Sequence, residues 1–313
     1  MKKSIVSITL AFILCITVIP AHATGAAPNP SAPVNLAPIA ENLELTTYRG
    51  VSVSGRLMAI DPENDPLTFE IVTIPRKGSI ELGEGGSFVY TPAEGKKGRD
   101  YFGYKARDVR GNYSQEATAI IKIEKQKTTV SYSDLRGNGG EYAALRLVEE
   151  GIFTGACLSG SYLFSPEQTV SRGEFLAMCI KTADIHVLSG VTRTGWSNDE
   201  NIPMWVKPYI TTAMLSGIIS PHGEGSLAPV FDVNEPISIA EAAVILNRTL
   251  RITDVAAVSV QASDIAPVWA RQALANLVAC QIITGPMGAY DSCLTREDAA
   301  AMLMGAARLL ENR

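Results

Sequence analysis

The sequence predicts a multidomain chain: an all-β sandwich followed by an all-α threefold repeat. Two observations predict the first part. Between residues 42 and 124, short runs of alternating apolar and polar residues recur, as strands with one buried face do, and clusters of Gly, Pro, Asn and Asp separate them. One observation predicts the second part. Beyond residue 130 a helix-start signature recurs in three units of roughly sixty residues, and a fixed period of that kind marks a repeat architecture.

Composition bounds the function. The chain has 313 residues, enough for two or three domains, and at 46% hydrophobic and 19% charged it suits packed globular structure. The formal net charge is -5 and no basic tract occurs, which argues against nucleic acid and anionic membrane surfaces as partners. An anionic polymer would have to be held by local sites rather than by the overall field.

Residues 1–23 read as a signal peptide: Lys2-Lys3, an apolar stretch from Ile5 to Ile19, then the small-x-small site Ala21-His22-Ala23. The apolar run is short for a bilayer span and no second one follows, so no membrane segment is expected after its removal. No Leu-Pro-x-Thr-Gly sorting signal and no hydrophobic C-terminal tail occur, so attachment to a cell would need another device. Residues 24–41, with Pro28, Pro30, Pro33 and Pro38, read as a semi-extended spacer.

Residues 42–124 carry the strand pattern. Val51, Val53 and Leu57 alternate with Ser52, Ser54 and Arg56. Further runs are Leu67 to Val72, Ser79 to Leu82, Ser87 to Tyr90, Tyr101 to Tyr104 and Ala117 to Ile123. About seven short strands at this spacing predict a sandwich. The segments Asp61-Pro62-Glu63-Asn64-Asp65-Pro66-Leu67-Thr68-Phe69, Phe88-Val89-Tyr90-Thr91-Pro92, Gly98-Arg99-Asp100-Tyr101-Phe102 and Asp108-Val109-Arg110-Gly111-Asn112 resemble bacterial immunoglobulin-like and cadherin-like repeats. Asp61, Glu63 and Asp65, joined by Asp108, are candidate calcium ligands, because carboxylates suit a hard cation. The alternative is an acidic turn whose carboxylates cap backbone amides.

The helical signature is Val170-Ser171-Arg172-Gly173-Glu174-Phe175, Ile237-Ser238-Ile239-Ala240-Glu241-Ala242 and Leu294-Thr295-Arg296-Glu297-Asp298-Ala299. A hydroxyl followed three residues later by an acid is a capping-box pattern. Arg172 and Arg296 sit one residue after the cap, where a cation works against the helix dipole. Beside open helix-mouth amides such an Arg would form a carboxylate or phosphate receptor. A solvated surface Arg is the alternative.

Upstream, Ser133-Asp134, Ser197-Asn198 and Ser263-Asp264 open the three units, and a first helix follows in each: Ala143 to Ile152, Tyr209 to Ile218 and Ala273 to Ile282. Trp205 and Trp269 share one position, which is Gly139 in the first unit. A Gly-containing turn comes next (Thr154-Gly155, Ser216-Gly217, Thr284-Gly285), then a loop with Phe164, Phe231 or Tyr290.

Together these motifs, including Leu147-Val148-Glu149-Glu150-Gly151-Ile152 and Phe164-Ser165-Pro166, make residues 130–313 resemble three S-layer homology (SLH) domains. The resemblance implies an all-helical three-pronged spindle that anchors exported bacterial proteins non-covalently to secondary cell-wall polymers, often through a pyruvylated sugar. It also implies ligand contact by Arg172 and Arg296. Trp205 and Trp269 would pack either against sugar faces or at the spindle centre. The chain departs from the pattern at Ile239, where Arg is expected, and at Gly139. It also has a shorter loop, without the Pro, between Tyr290 and Leu294.

Cys157, Cys179, Cys280 and Cys293 remain after the leader, and export permits disulfides. Pairing within units (Cys157 with Cys179, Cys280 with Cys293) and buried free thiols are both open. His186 and His222 have no evident nucleophile motif, and no phosphate loop, metal spacing or paired-carboxylate frame appears, so no catalytic residue is nominated. The expectation is a non-enzymatic secreted protein at the cell wall, with SLH units at 130–190, 191–255 and 256–313. Its partner would be an anionic, pyruvylated wall polysaccharide. The alternative is a structural S-layer or envelope-tethering component, or a non-catalytic subunit of a surface enzyme complex.

Overall fold

The computed structural model describes residues 35–196, 199–220, 232–253, 266–283, 289–311 and 313. The leader, most of the spacer, Ser197-Asn198, Ser263-Asp264, His222, Phe231 and Thr284-Gly285 lie outside the described residues.

Nine strands build the first part: β1 (Ile39–Ala40), β2 (Leu43–Tyr48), β3 (Val53–Arg56), β4 (Ala59–Ile60), β5 (Thr68–Thr73), β6 (Gly78–Leu82), β7 (Ser87–Pro92), β8 (Gly98–Arg107) and β9 (Ala117–Glu124). Seven of them form two sheets, ordered β2-β9-β8-β5 and β3-β7-β6, while β1 and β4 pair with each other. β2 runs parallel to β9, with Leu43 opposite Ala119, and the other pairings are antiparallel. Alternation sends Phe102, Tyr104, Ala119 and Ile121 into the space between sheets, where each is 0% exposed. The sandwich begins earlier than residue 42, because Ile39 and Ala40 already pair with Ile60 and Ala59.

Polar groups also fasten this core. Asp100, 2% exposed, accepts from Tyr90 Oη at 2.8 Å, from Arg76 N at 3.0 Å and from Lys77 N at 2.8 Å. Burial pushes its pKa up, but the amides of Lys77 and Arg76 and the Tyr90 hydroxyl outweigh that and hold it below the usual range.

Among the described residues the second part has six α-helices: α1 (Glu141–Glu149), α2 (Arg172–Thr182), α3 (Lys207–Leu215), α4 (Ile239–Leu250), α5 (Arg271–Ala279) and α6 (Arg296–Glu311). It is not all-α, however. β10 (Ala156–Leu158) and β11 (Ser161–Leu163) form a hairpin after α1. Ser159 and Gly160 turn it with positive φ values of 52° and 84°. Helices α2 and α4 open with complete capping boxes at Ser171/Glu174 and Ser238/Glu241. In α6 the shorter Asp298 meets the Thr295 hydroxyl instead, at 2.7 Å. α1 packs on α6, α3 on α2 and α5 on α4. So the first helix of each unit lies against the second helix of the unit before, and the last unit closes on the first. Residues 36–313 form one compact unit, with a core continuous from the sandwich into the helices.

Candidate functional site

The three capped segments meet. Val170 N donates to Leu294 O at 3.0 Å, Leu294 N to Ile237 O at 2.8 Å, and Ile237 N to Val170 O at 2.9 Å. Each segment gives one amide to one neighbour and one carbonyl to the other, so the ring is closed. Val170, Ile237 and Leu294 are at most 1% exposed, which makes these exchanged bonds a shielded hub.

The same exchange fills the helix mouths. Arg172 N donates to Glu235 O (3.0 Å), Gly173 N to Val233 O (2.9 Å) and Glu174 N to Ser171 Oγ (3.3 Å). In α4, Ile239 N, Ala240 N and Glu241 N are taken by Ser292 O, Tyr290 O and Ser238 Oγ. In α6, Arg296 N, Glu297 N and Asp298 N are taken by Gln168 O, Pro166 O and Thr295 Oγ1. The expectation of open mouth amides awaiting an anion is therefore corrected: a loop of the adjacent unit occupies each mouth.

The two arginines are engaged as well. Arg172 makes a forked contact with Glu241 of the next unit: Nε to Oε1 at 3.2 Å, Nη2 to Oε1 at 3.0 Å and Nη2 to Oε2 at 3.2 Å. The two side chains are 24% and 11% exposed. Arg296 Nη1 donates to Phe164 O at 3.0 Å, and its guanidinium lies 5.1 Å from the Phe153 ring centroid. Ile239, at the matching position of α4, is 2% exposed. The sequence marks Glu241 only as a cap and Phe164 only as a loop residue, and gives no sign of Phe153 as a partner. Asp134 did carry a signal, opening the first unit. Its carboxylate accepts from Phe164 N at 3.0 Å and Ser165 N at 2.6 Å, pinning the loop under Arg296.

The tryptophans stand elsewhere. Trp205 is 54% exposed and Trp269 half-buried, each one residue before the cap of its helix, with Met204 (59%) and Val268 (77%) beside them. An exposed Trp205 does not pack at a spindle centre; the buried indole is that of Trp196, 7% exposed. At the matching place in the first unit, Gly139 lies under the sandwich. Ser54 N donates to Gly139 O at 3.1 Å, and a Cβ on Gly139 would fall 2.7 Å from Ser54 Cβ. The contact continues at Glu149, which accepts from Tyr48 Oη (2.6 Å), Lys127 N (2.6 Å) and Thr128 N (3.2 Å). The Tyr48 and Tyr142 rings pack with centroids 5.0 Å apart. Burial raises the Glu149 pKa, but these three donors and Arg146 more than reverse it, holding the carboxylate below its usual range.

The acidic turn divides its candidates. Asp61, 5% exposed, accepts from Glu63 N and Asp65 N through Oδ1. Asp108 accepts from Arg110 N and Asn112 N through Oδ1 and from Asn112 Nδ2 through Oδ2. Glu63 takes Leu36 N. These are turn-capping roles. Among the described residues no three His, Cys, Asp or Glu side chains converge as metal ligands. Even so, Asp61 Oδ2 and Asp65 Oδ2 are buried without a partner. All four cysteines are unpaired, so neither disulfide forms: Cys179 is enclosed mid-α2, whereas Cys157 and Cys293 are exposed.

Residues 35–124 match the family model of a bacterial Ig domain. No curated protein matches the chain. Among solved structures, an endo-fucoidan hydrolase of glycoside hydrolase family 107 aligns at 17% identity over 30% of this chain and 14% of its own, with a TM-score of 0.25. A point mutant of the SrpA adhesin from Streptococcus sanguinis aligns at 16% identity over 31% of this chain and 65% of its own, with a TM-score of 0.24. The D00-D0 domain of intimin aligns at 16% over 28% and 47%, with a TM-score of 0.22. This chain spans about a seventh of the hydrolase's length, and likenesses at this level carry no functional argument.

Proposed function

We propose that this protein is a secreted surface protein whose helical part is an SLH-type triplet. In this reading the triplet binds anionic, pyruvylated wall polysaccharide and displays the Ig domain outward. One observation carries the reading: three capped segments, spaced as the sequence units are, exchange backbone bonds in a closed ring. A ring of that kind needs three equivalent units at once.

The geometry redistributes the roles. Arg172 and Arg296 fasten adjacent units rather than stand free for an anion. The indoles left at least partly open in the triplet are those of Trp205 and Trp269. An indole face suits the apolar face of a pyranose, and two such faces on one polymer reinforce each other through effective concentration. Co-sedimentation of the chain with wall sacculi, with and without acid removal of the secondary polymer, tests the reading. Sedimentation that disappears on removal supports it, and sedimentation indifferent to removal sinks it.

A second reading concerns the turn at Asp61. We propose that Asp61 and Asp65 hold a calcium ion weakly, because their Oδ2 atoms are buried and unpartnered while Asp61 Oδ1 and both oxygens of Asp108 are taken by donors of their own turns.

A further inference from the structure

We infer that the triplet offers its polymer two faces rather than three, because the chain's own Ig domain fills the third. The stoichiometric half of this inference rests on the polymer-binding reading, and the docking half stands without it.

The argument starts from equivalence. The residue before the helix cap is Gly139 in α1, Trp205 in α3 and Trp269 in α5, with caps at Gly140, Val206 and Ala270. All three first helices pack against the second helix of the preceding unit, so these positions correspond in space as well as in sequence. At two of them an indole is partly open to solvent: Trp205 is 54% exposed, and Trp269 is half-buried with one side against the core. At the third, β3 lies so close that even a methyl group would collide with Ser54. A side chain as large as Trp could not be accommodated there with the domain docked. Gly139 therefore does two things: it removes the aromatic surface, and it admits the edge of β3, whose Ser54 amide and hydroxyl both bond its carbonyl.

The docking is held at a second point. Glu149 ties β2, through Tyr48, to the connection at Lys127 and Thr128, and the Tyr48–Tyr142 ring contact lies alongside. Two separated fastenings resist rotation as well as separation, so the Ig domain and the first unit move as one body. Beside this contact lies a cleft of about 300 Å³ bordered by Ser54, Gly139, Tyr142, Gly305 and Arg308.

Two measurements on the full chain test this. Amide hydrogen exchange should find Ser54 and Lys127 protected in the parent protein. Gly139→Trp should abolish protection at Ser54 while Val170, Ile237 and Leu294 stay protected. The paired change Tyr48→Phe with Glu149→Ala should release Lys127 without touching Gly139, which guards against misfolding of the first variant. Titration with a short fragment of purified pyruvate-bearing wall polysaccharide should give two bound fragments per chain. Trp205→Ala should give one, and Gly139→Trp three. Rapid exchange of Ser54 in the parent overturns the docking. Binding that stays at two after Gly139→Trp releases Ser54, or that starts at three, overturns the two-face inference alone. No binding by the parent overturns it together with the polymer-binding reading.

Discussion

The Ig domain and the helical triplet solve one problem, buried backbone polar groups, in different ways. In the sandwich the strand ladders satisfy them, and a buried carboxylate, Asp100, gathers the donors that the ladders leave over at Arg76 and Lys77. In the triplet each helix mouth is satisfied by a loop from another unit. The sandwich thus concentrates its polar fastening in one residue, whereas the triplet distributes it over three equivalent places. A single substitution should hurt the first more than the second.

Asp100→Ala is the sharpest way to break that comparison. It strands two backbone amides and the buried Tyr90 hydroxyl, and should cost the sandwich about 3 kcal/mol. Tyr90→Phe removes one donor and should cost only about 1 kcal/mol. Chemical denaturation followed through the sandwich checks both; equal losses would mean that Asp100 is not the hub. Next in size is Arg172→Met, which leaves Glu241 facing a half-buried space and should cost about 2 kcal/mol. That figure is kept below the value for a fully buried pair because both side chains retain some solvent. If the triplet is as distributed as the ring implies, the loss stays under that of Asp100→Ala.

Acid sharpens the comparison at the junction of the two parts. The Glu149 carboxylate is held below its usual pKa in the folded protein, so the stability it confers is present above the unfolded value and is lost as pH falls through the folded one. The protection of the Lys127 amide, its exchange measured against the intrinsic rate at each pH, should therefore fall as the solution is acidified through and below the ordinary glutamate range. Glu149→Gln should flatten that dependence, and a dependence unchanged in Glu149→Gln would place the titrating group elsewhere. Calcium is a smaller effect. Millimolar calcium should raise the melting temperature of the sandwich by a few degrees, about what 1 kcal/mol gives a domain of this size, and Asp61→Asn should remove the shift.

Much of this was legible in the sequence, and the parts that were not share a cause. Capping boxes are local, so Ser171/Glu174 and Ser238/Glu241 could be read directly. β2 was missed although Leu43, Leu45 and Thr47 alternate as strand residues do; β1 and β4, at two residues each, are too short to show a period. The partner of Arg172 lies 69 residues away and the acceptor of Arg296 lies 132 away, and no local pattern carries such pairings. Hence the arginines looked available for an anion. The missing Trp at Gly139 was visible as a departure, but its reason, the edge of another domain, was not.

The smallest expected effect tests which side chain of the triplet would make the proposed polymer contact. Trp205 is 54% exposed and Trp196 is 7% exposed, though both are indoles of the same unit. Trp205→Ala removes a largely solvated side chain, so stability should change by no more than about 0.5 kcal/mol. Trp196→Ala removes an enclosed one and should cost about 3 kcal/mol. A residue that matters for binding and not for folding is a contact, and one that matters for both is scaffold. On sacculi, Trp205→Ala should weaken sedimentation at unchanged melting temperature, whereas Arg172→Met should lower the melting temperature and weaken sedimentation only near it. If the pattern came out reversed, with Arg172→Met losing the polymer in a fully folded chain, the guanidinium would be the contact. The fork with Glu241 would then be its resting position rather than its purpose.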